Sequence, residues 1–353
     1  MRVRFAGAPL PGVSANSARA AIADLSAKVS ASDARAGSAE LADLIAKLDA
    51  RVRHIAFFGA GLSIAANMAA AQFTGWNIPG VGEPGQRKRP RTRIYATDDP
   101  NTLSQVAETI DYRNTAFVFV SDGGDRDIVH AQFDRIWPAV RDALGADAPH
   151  HLASISAIAG AAVDATLIEK THAAGGEVAR VSDTSGPLSP HQAVVGLTRG
   201  LSLADLQSGA VSFLAAADEA AAGSATVPVL TAPASGPRAV IAARDRLGMF
   251  ASWVAANAND SDCAQPAFAP SIRSGLAQSL RVHANARSVD VIDVEAGDRP
   301  AAELTRADSD DVSVRSVRLG GFTSAALGAA YALFLLDERL AAVGERASSA
   351  GSS

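Results

Sequence analysis

Along residues 53–181 the chain alternates short apolar runs with amphipathic stretches. The runs "HIAFFG", "RIYAT", "AFVFVS", "HLASISAI" and "EVARV" are too short for helices and rich in the residues that strands favour. Helical patterns begin between them at Ser63, Asn101, Asp127 and Asp164. This order predicts a parallel sheet with helices on both faces. The run Ala116–Val120 carries no polar residue at all, as a strand buried on both faces requires. In such a sheet a ligand lies beyond the carboxyl ends of the strands, where loops beginning at Gly59, Thr97 and Ser121 would meet.

The flanking regions are organised differently. Residues 14–50 have apolar positions at helical spacing and predict two helices joined near Asp33–Gly37. After Ser182 the apolar runs "TVPVL", "AVIAA", "VDVIDV" and "VSVRSVRL" predict further strands, with helices near Leu201–Gly209, Leu247–Asn257, Ile272–Arg281 and Ser324–Gly344. The expected organisation is a helical segment over 1–50, one α/β domain over 51–185, a second over 186–345, and a frayed tail over 346–353. Segments 82–93 and 307–311 read as loops. No short internal period is present.

Composition narrows the function classes. A chain of 353 residues, 48% hydrophobic and 20% charged, with mean hydropathy +0.11, can bury two cores. A net charge of -5 and a pI near 5.8 argue against nucleic acid or an anionic membrane as the main partner. Cys263 is the only cysteine, which excludes an intrachain disulfide and a thiolate metal cluster and fits a reducing cytoplasm. The opening "MRVRFAGAPLPGV" is a poor signal peptide, and no run is long enough to span a membrane. The motifs H-E-x-x-H, C-x-x-C and G-x-S-x-G are absent, and nothing calls for a metal or an organic cofactor.

Two strand ends carry candidate chemistry. In "FFGAGLS", the small residues Gly59 and Gly61 and the hydroxyl of Ser63 would let an anion approach backbone amides at a helix start. The same residues also suit a tight turn with Ser63 as a helix cap. A dinucleotide fingerprint would need glycine where Ile64 stands. In "SDGGDRD", Ser121, Gly123, Gly124 and Arg126 could hold a phosphate, yet Asp122, Asp125 and Asp127 share the loop. The plainer reading is an Asp-Gly turn with acids favouring the next helix start. "RKRPR" (87–91) reads as a solvated loop, and His150-His151 lacks a metal-ligand partner.

The succession of "HIAFFGAGLSIAA", "IYATDDPNTLSQVAETIDYRNTAFVFVSDGGDRD", "VSDTSGPLSPHQAVVGLTRGLSLADLQSGA", "DRLGMFASWVAANANDS" and "TSAALGAAYALFLLDERLAAVGE" resembles the glucose-6-phosphate isomerase family from about residue 51 to 345. The resemblance implies two three-layer α/β/α sugar-isomerase (SIS, flavodoxin-like) domains with parallel sheets, usually paired as a homodimer. It implies phosphate roles for Ser63 and Ser121. It also implies losses. Pro187 stands where the family's Gly-Gly-Arg motif has arginine, removing a donor for the developing enediolate. The family's glutamine falls on Ala256 and its general-base glutamate on Asp260, one methylene shorter. The stretch "SIRSGLAQSL" lacks the ring-opening histidine, and the closing helix ends without the family's lysine.

Three readings follow. One is a sugar-phosphate-binding protein on an isomerase scaffold with its catalytic groups largely lost. Another is a divergent aldose-ketose isomerase with Asp260 as base and His191 or His283 acting on the ring. The last is an assembly scaffold that binds no small molecule, which the acids after Ser121 favour, since like charges at binding distance repel by roughly kcal/mol amounts.

Overall fold

A computed structural model describes residues 1–7, 12–31, 36–75, 89–124, 126–158, 163–182, 186–224, 226–228, 238–242, 244–257, 267–268, 288–294 and 313–350. The chain opens with β1 (Arg2–Gly7), β2 (Gly12–Ser14) and α1 (Ala15–Ser30). There follow α2 (Ser38–Arg51), β3 (His54–Phe58), α3 (Gly61–Phe73), β4 (Arg91–Tyr95) and α4 (Pro100–Thr109). Next are β5 (Thr115–Ser121), α5 (Arg126–Leu144), β6 (Leu152–Ala157), α6 (Ala165–Ala173) and β7 (Glu177–Val181). Then come α7 (Pro190–Thr198), α8 (Leu203–Ala222), β8 (Thr226–Pro228), β9 (Arg238–Ala242) and α9 (Gly248–Asn257). β10 (Ala267–Phe268), β11 (Ser288–Val294), β12 (Ser313–Leu319) and α10 (Ser324–Ala350) end the described chain.

The chain divides into two compact units, one spanning Ala31–Leu201 and one formed by Met1–Ser30 with Ser202–Ser353. In the 31–201 unit the strands lie in the order β4-β3-β5-β6-β7, all parallel. Side chains alternate between two cores because strand neighbours point to opposite faces. Ile55, Phe57, Val118 and Val120 pack with Leu41, Leu44 and Leu48 of α2 and Val194 and Val195 of α7. Phe58, Phe117 and Phe119 pack with Leu103 of α4, Phe133 and Ile136 of α5 and Leu167 of α6. Both faces are therefore covered, which is why these strands read as unbroken apolar runs.

Helix starts follow their caps. The Asp99 carboxylate accepts from the amides of Asn101 and Thr102, with Pro100 at the first helical position of α4. α3 is largely buried after its first two residues, and its Asn67 is bonded at both amide atoms: Nδ2 donates to the carbonyls of Ser63 and His191, and Oδ1 accepts from Val195 N. That amide fastens α3 to α7, a helix the sequence pattern does not reveal. α7 is short and contains Gly196, where an added Cβ would lie 2.9 Å from Ala70 Cβ. Close helix packing has taken precedence there over helix propensity.

In the other unit the order is β1-β12-β11-β9-β10, with β12, β11, β9 and β10 parallel and β1 an antiparallel edge. β1 escapes the sequence reading because Arg2 and Arg4 interrupt its apolar residues, as an edge strand allows. The helix read over Leu201–Gly209 continues to Ala222. Gly209 is a contact point rather than an end, since a Cβ there would lie 2.0 Å from Ala325 O, and one on Gly328 would lie 1.8 Å from Leu206 O. α10 likewise runs past Gly344 to Ala350, through residues that include no proline. Within this unit Arg315 of β12 is 2% exposed, its Nε 2.6 Å from Asp290 of β11 and its Nη2 2.6 Å from Asp337 of α10. The helix expected over Ile272–Arg281 lies outside the described residues. Among the described residues no helix is long and apolar enough to cross a membrane.

Candidate functional site

The chain leaves β3 through α3 to β4 on one side, then returns through α4 to β5 on the other side of β3. This reversal makes the carboxyl ends of β3 and β5 a topological switch point, the position where doubly wound sheets bind ligands in a crevice. Phe58 and Phe119 are paired across the two strands, so the Gly59–Ser63 turn and the Ser121–Arg126 loop start side by side. A Cβ on Gly59 would meet Ile64 Cδ1 at 3.1 Å and Val120 O at 3.2 Å, so a larger residue there would crowd both.

The first wall is held from behind. Gln132 of α5 is fully buried, and its Nε2 donates to the carbonyls of Gly59 at 3.0 Å and Thr97 at 2.9 Å. Gly61 opens α3 with φ 60, a left-handed conformation that suits glycine. The N-cap is Ala60, so Ser63 is not the cap and stands further into the first turn. Its Oγ is buried and has no hydrogen-bond partner among the described residues, and no acidic residue lies in the first turn of α3. A helix start with uncapped amides and no carboxylate favours an anion.

The second wall is folded onto itself. Ser121 is 1% exposed, and its Oγ donates to Asp164 at 2.8 Å while accepting from Gly123 N at 3.3 Å. Asp122 Oδ1 accepts from Gly124 N at 2.9 Å, and Arg126 Nε donates to Gly123 O at 2.8 Å. Gly123 has φ 79, as this turn demands. The Asp122 carboxylate thus occupies an amide that an incoming anion would otherwise use. Asp127 lies in the first turn of α5, where its charge suits the helix dipole, and Asp125 is outside the described residues.

Asp164 anchors this wall to α6, and nothing in the local sequence announces it beyond its place at a helix start. It is 1% exposed, caps α6 by accepting from Leu167 N at 3.0 Å, and lies 2.9 Å from His130 Nε2. Its own amide donates to Ser156 Oγ at 3.1 Å. Ser121, His130, Ser156 and Asp164 come from β5, α5, β6 and the start of α6, and only the sheet topology brings them together.

Other sequence candidates are placed elsewhere. Pro187 is buried in the short turn Gly186–Leu188 and offers neither an N–H nor a guanidinium. His191 is fully enclosed, with Nδ1 donating to Ser182 O at 3.2 Å. His151 sits at the amino end of β6, its Nδ1 2.8 Å from Thr115 O. Asp260, His283, Arg87 and Lys88 lie outside the described residues. Among the described residues no group of three or more histidines, cysteines or acids is arranged to hold a metal ion.

The strand order, the covered parallel sheet and the crevice at its switch point define an α/β fold of the sugar-isomerase type. Solved structures share it. A hypothetical protein from Thermus thermophilus matches at 16% identity with TM-score 0.68, covering 93% of this chain and 88% of that one. A glucose-6-phosphate isomerase from Chlamydia trachomatis matches at 14% identity with TM-score 0.61, covering 86% and 68%. A tagatose-6-phosphate ketose/aldose isomerase from Escherichia coli matches at 11% identity with TM-score 0.53, covering 94% and 95%. No family model matches the chain, and no curated protein matches it by sequence.

Proposed function

We propose that this chain binds a sugar phosphate in the crevice between β3 and β5, on a glucose-6-phosphate isomerase type of scaffold whose isomerase chemistry is curtailed. The observation that carries the reading is the chain reversal that sets the acid-free first turn of α3, with the buried Ser63 hydroxyl, beside the Ser121 loop. Gly59, Gly61 and Ser63 would face the phosphate, whose charge the α3 start favours. Ser121, Gly123, Gly124 and Arg126 would shape the opposite wall. The curtailed chemistry rests on Pro187, which has no donor for an enediolate. The solved phosphosugar isomerases of the same fold support the ligand class by analogy. We further propose that the chain pairs as a homodimer, which light scattering would test.

The test is calorimetric titration with glucose 6-phosphate, fructose 6-phosphate and inorganic phosphate, beside a coupled isomerase assay. Binding with little or no turnover supports the reading. Brisk turnover that Asp260→Ala abolishes would instead support a divergent isomerase with that residue as base. A second reading, an assembly scaffold without a small ligand, is favoured by the Asp122 carboxylate on Gly124 N, and the absence of any sugar-phosphate binding would select it.

A further inference from the structure

The Asp164 carboxylate receives only donors: the Ser121 hydroxyl, the Leu167 amide and the ring of His130. An acceptor-only carboxylate requires the His130 proton on Nε2, so the neutral ring has Nδ1 as an acceptor. The His130 side chain is 19% exposed, whereas that of Asp164 is 1% exposed. Nδ1 makes no hydrogen bond among the described residues. A buried acid therefore orients a histidine whose other nitrogen has no partner among the described residues.

We propose that His130, oriented by Asp164, is a ligand-contacting residue of the crevice whose Nδ1 accepts a hydrogen bond from a hydroxyl of a polyhydroxylated, phosphate-bearing ligand. This rests on the sugar-phosphate reading and divides the ligand between the two walls. The phosphate belongs at the acid-free start of α3. The Ser121 side holds Asp122 and Asp127, which repel a dianion but accept from or tolerate hydroxyls. An imidazole nitrogen accepting from a hydroxyl fits that end of a sugar. Asp164 is a positioning residue: it fixes the tautomer and the ring, and does not itself reach the ligand.

His130→Gln separates contact from positioning, because the glutamine amide can keep donating to Asp164 while the Nδ1 acceptor is gone. We expect calorimetry to show glucose 6-phosphate binding weakened about tenfold, with inorganic phosphate binding and the melting temperature unchanged. In the wild type, nitrogen NMR should place the proton on Nε2, with the Nδ1 resonance moving when glucose 6-phosphate is added. Equal glucose 6-phosphate binding by wild type and variant would overturn the His130 contact and leave the sugar-phosphate reading standing. An equal loss of phosphate binding, a melting temperature lowered as far as by Asp164→Ala, or an unmoved Nδ1 resonance would also overturn it. A wild type that binds neither ligand would remove the sugar-phosphate reading and this contact with it.

Discussion

Ser121 donates its hydroxyl proton to Asp164 across 2.8 Å, joining the last residue of β5 to the residue that caps α6. Through that bond the crevice wall depends on a carboxylate 43 residues away in sequence. Asp164→Ala removes the cap and leaves the Ser121 hydroxyl without its buried acceptor. The expected loss is about 2–4 kcal/mol in urea unfolding. Asp164→Asn, which keeps one acceptor oxygen, should lose less, and a loss below about 0.5 kcal/mol for alanine would contradict the network.

The inner strands β3 and β5 of the 31–201 unit are legible because both faces of the sheet are covered there, so each is a largely apolar run. The edge strands β4 and β7 carry Arg91, Arg93, Glu177 and Arg180 and are legible mainly from the alternation of short runs with helices. The glycines at 59, 61 and 123 are legible for local reasons, since a Cβ on Gly59 would crowd Val120 O and Gly61 and Gly123 hold positive φ. β1 is not legible, because an edge strand tolerates Arg2 and Arg4. α7 is hidden by Gly196, whose contact with Ala70 matters more than its propensity. His130 and Asp164 are silent as a pair, because their meeting is a product of strand order and not of spacing.

Where α8 and α10 cross, their backbones touch. Gly328→Ala would put a Cβ 1.8 Å from Leu206 O, and Gly209→Ala one 2.0 Å from Ala325 O. Backbone carbonyls cannot swing aside, so the helices must separate, at about 1–3 kcal/mol or more for each variant. Gly320→Ala, which meets nothing within 4 Å, is the control and should stay within about 0.5 kcal/mol. Thermal or urea midpoints of the three variants make the comparison.

Arg315 is buried between Asp290 and Asp337, and both carboxylates depend on its charge. Arg315→Met alone leaves two acids enclosed without that partner and should cost about 3–5 kcal/mol. Replacing all three by apolar residues should restore much of the loss, because the burial penalty leaves with the charges. A triple variant no more stable than Arg315→Met would contradict this account.

Glu338 is half-buried, and its enclosure raises its carboxyl above the ordinary value of 4.5, with the Asn257 amide partly opposing the shift. The folded state therefore binds this proton more tightly than the unfolded state. Its favourable contribution is complete below 4.5 and disappears as pH rises through the higher folded value. Glu338→Gln should thus match or exceed the wild type at neutral pH, by less than about 1 kcal/mol given solvent screening. The difference should vanish in acid, and denaturation midpoints across pH would show a constant gap if burial has no such effect.

The central claim is that the crevice at the start of α3 receives the phosphate of a sugar phosphate. Leu62 lies in the first turn of α3 and is 41% exposed, so Leu62→Asp can place a carboxylate there without disturbing the core. The added charge suits the helix start but repels a bound dianion. The most direct measurement is the melting temperature of wild type and Leu62→Asp with and without glucose 6-phosphate, since a ligand held only by the native state stabilises it by mass action. The account predicts equal melting temperatures or a slight gain for the variant without ligand, a rise for the wild type with ligand, and little or none for the variant. No rise for the wild type, or an equal rise for both, would contradict it.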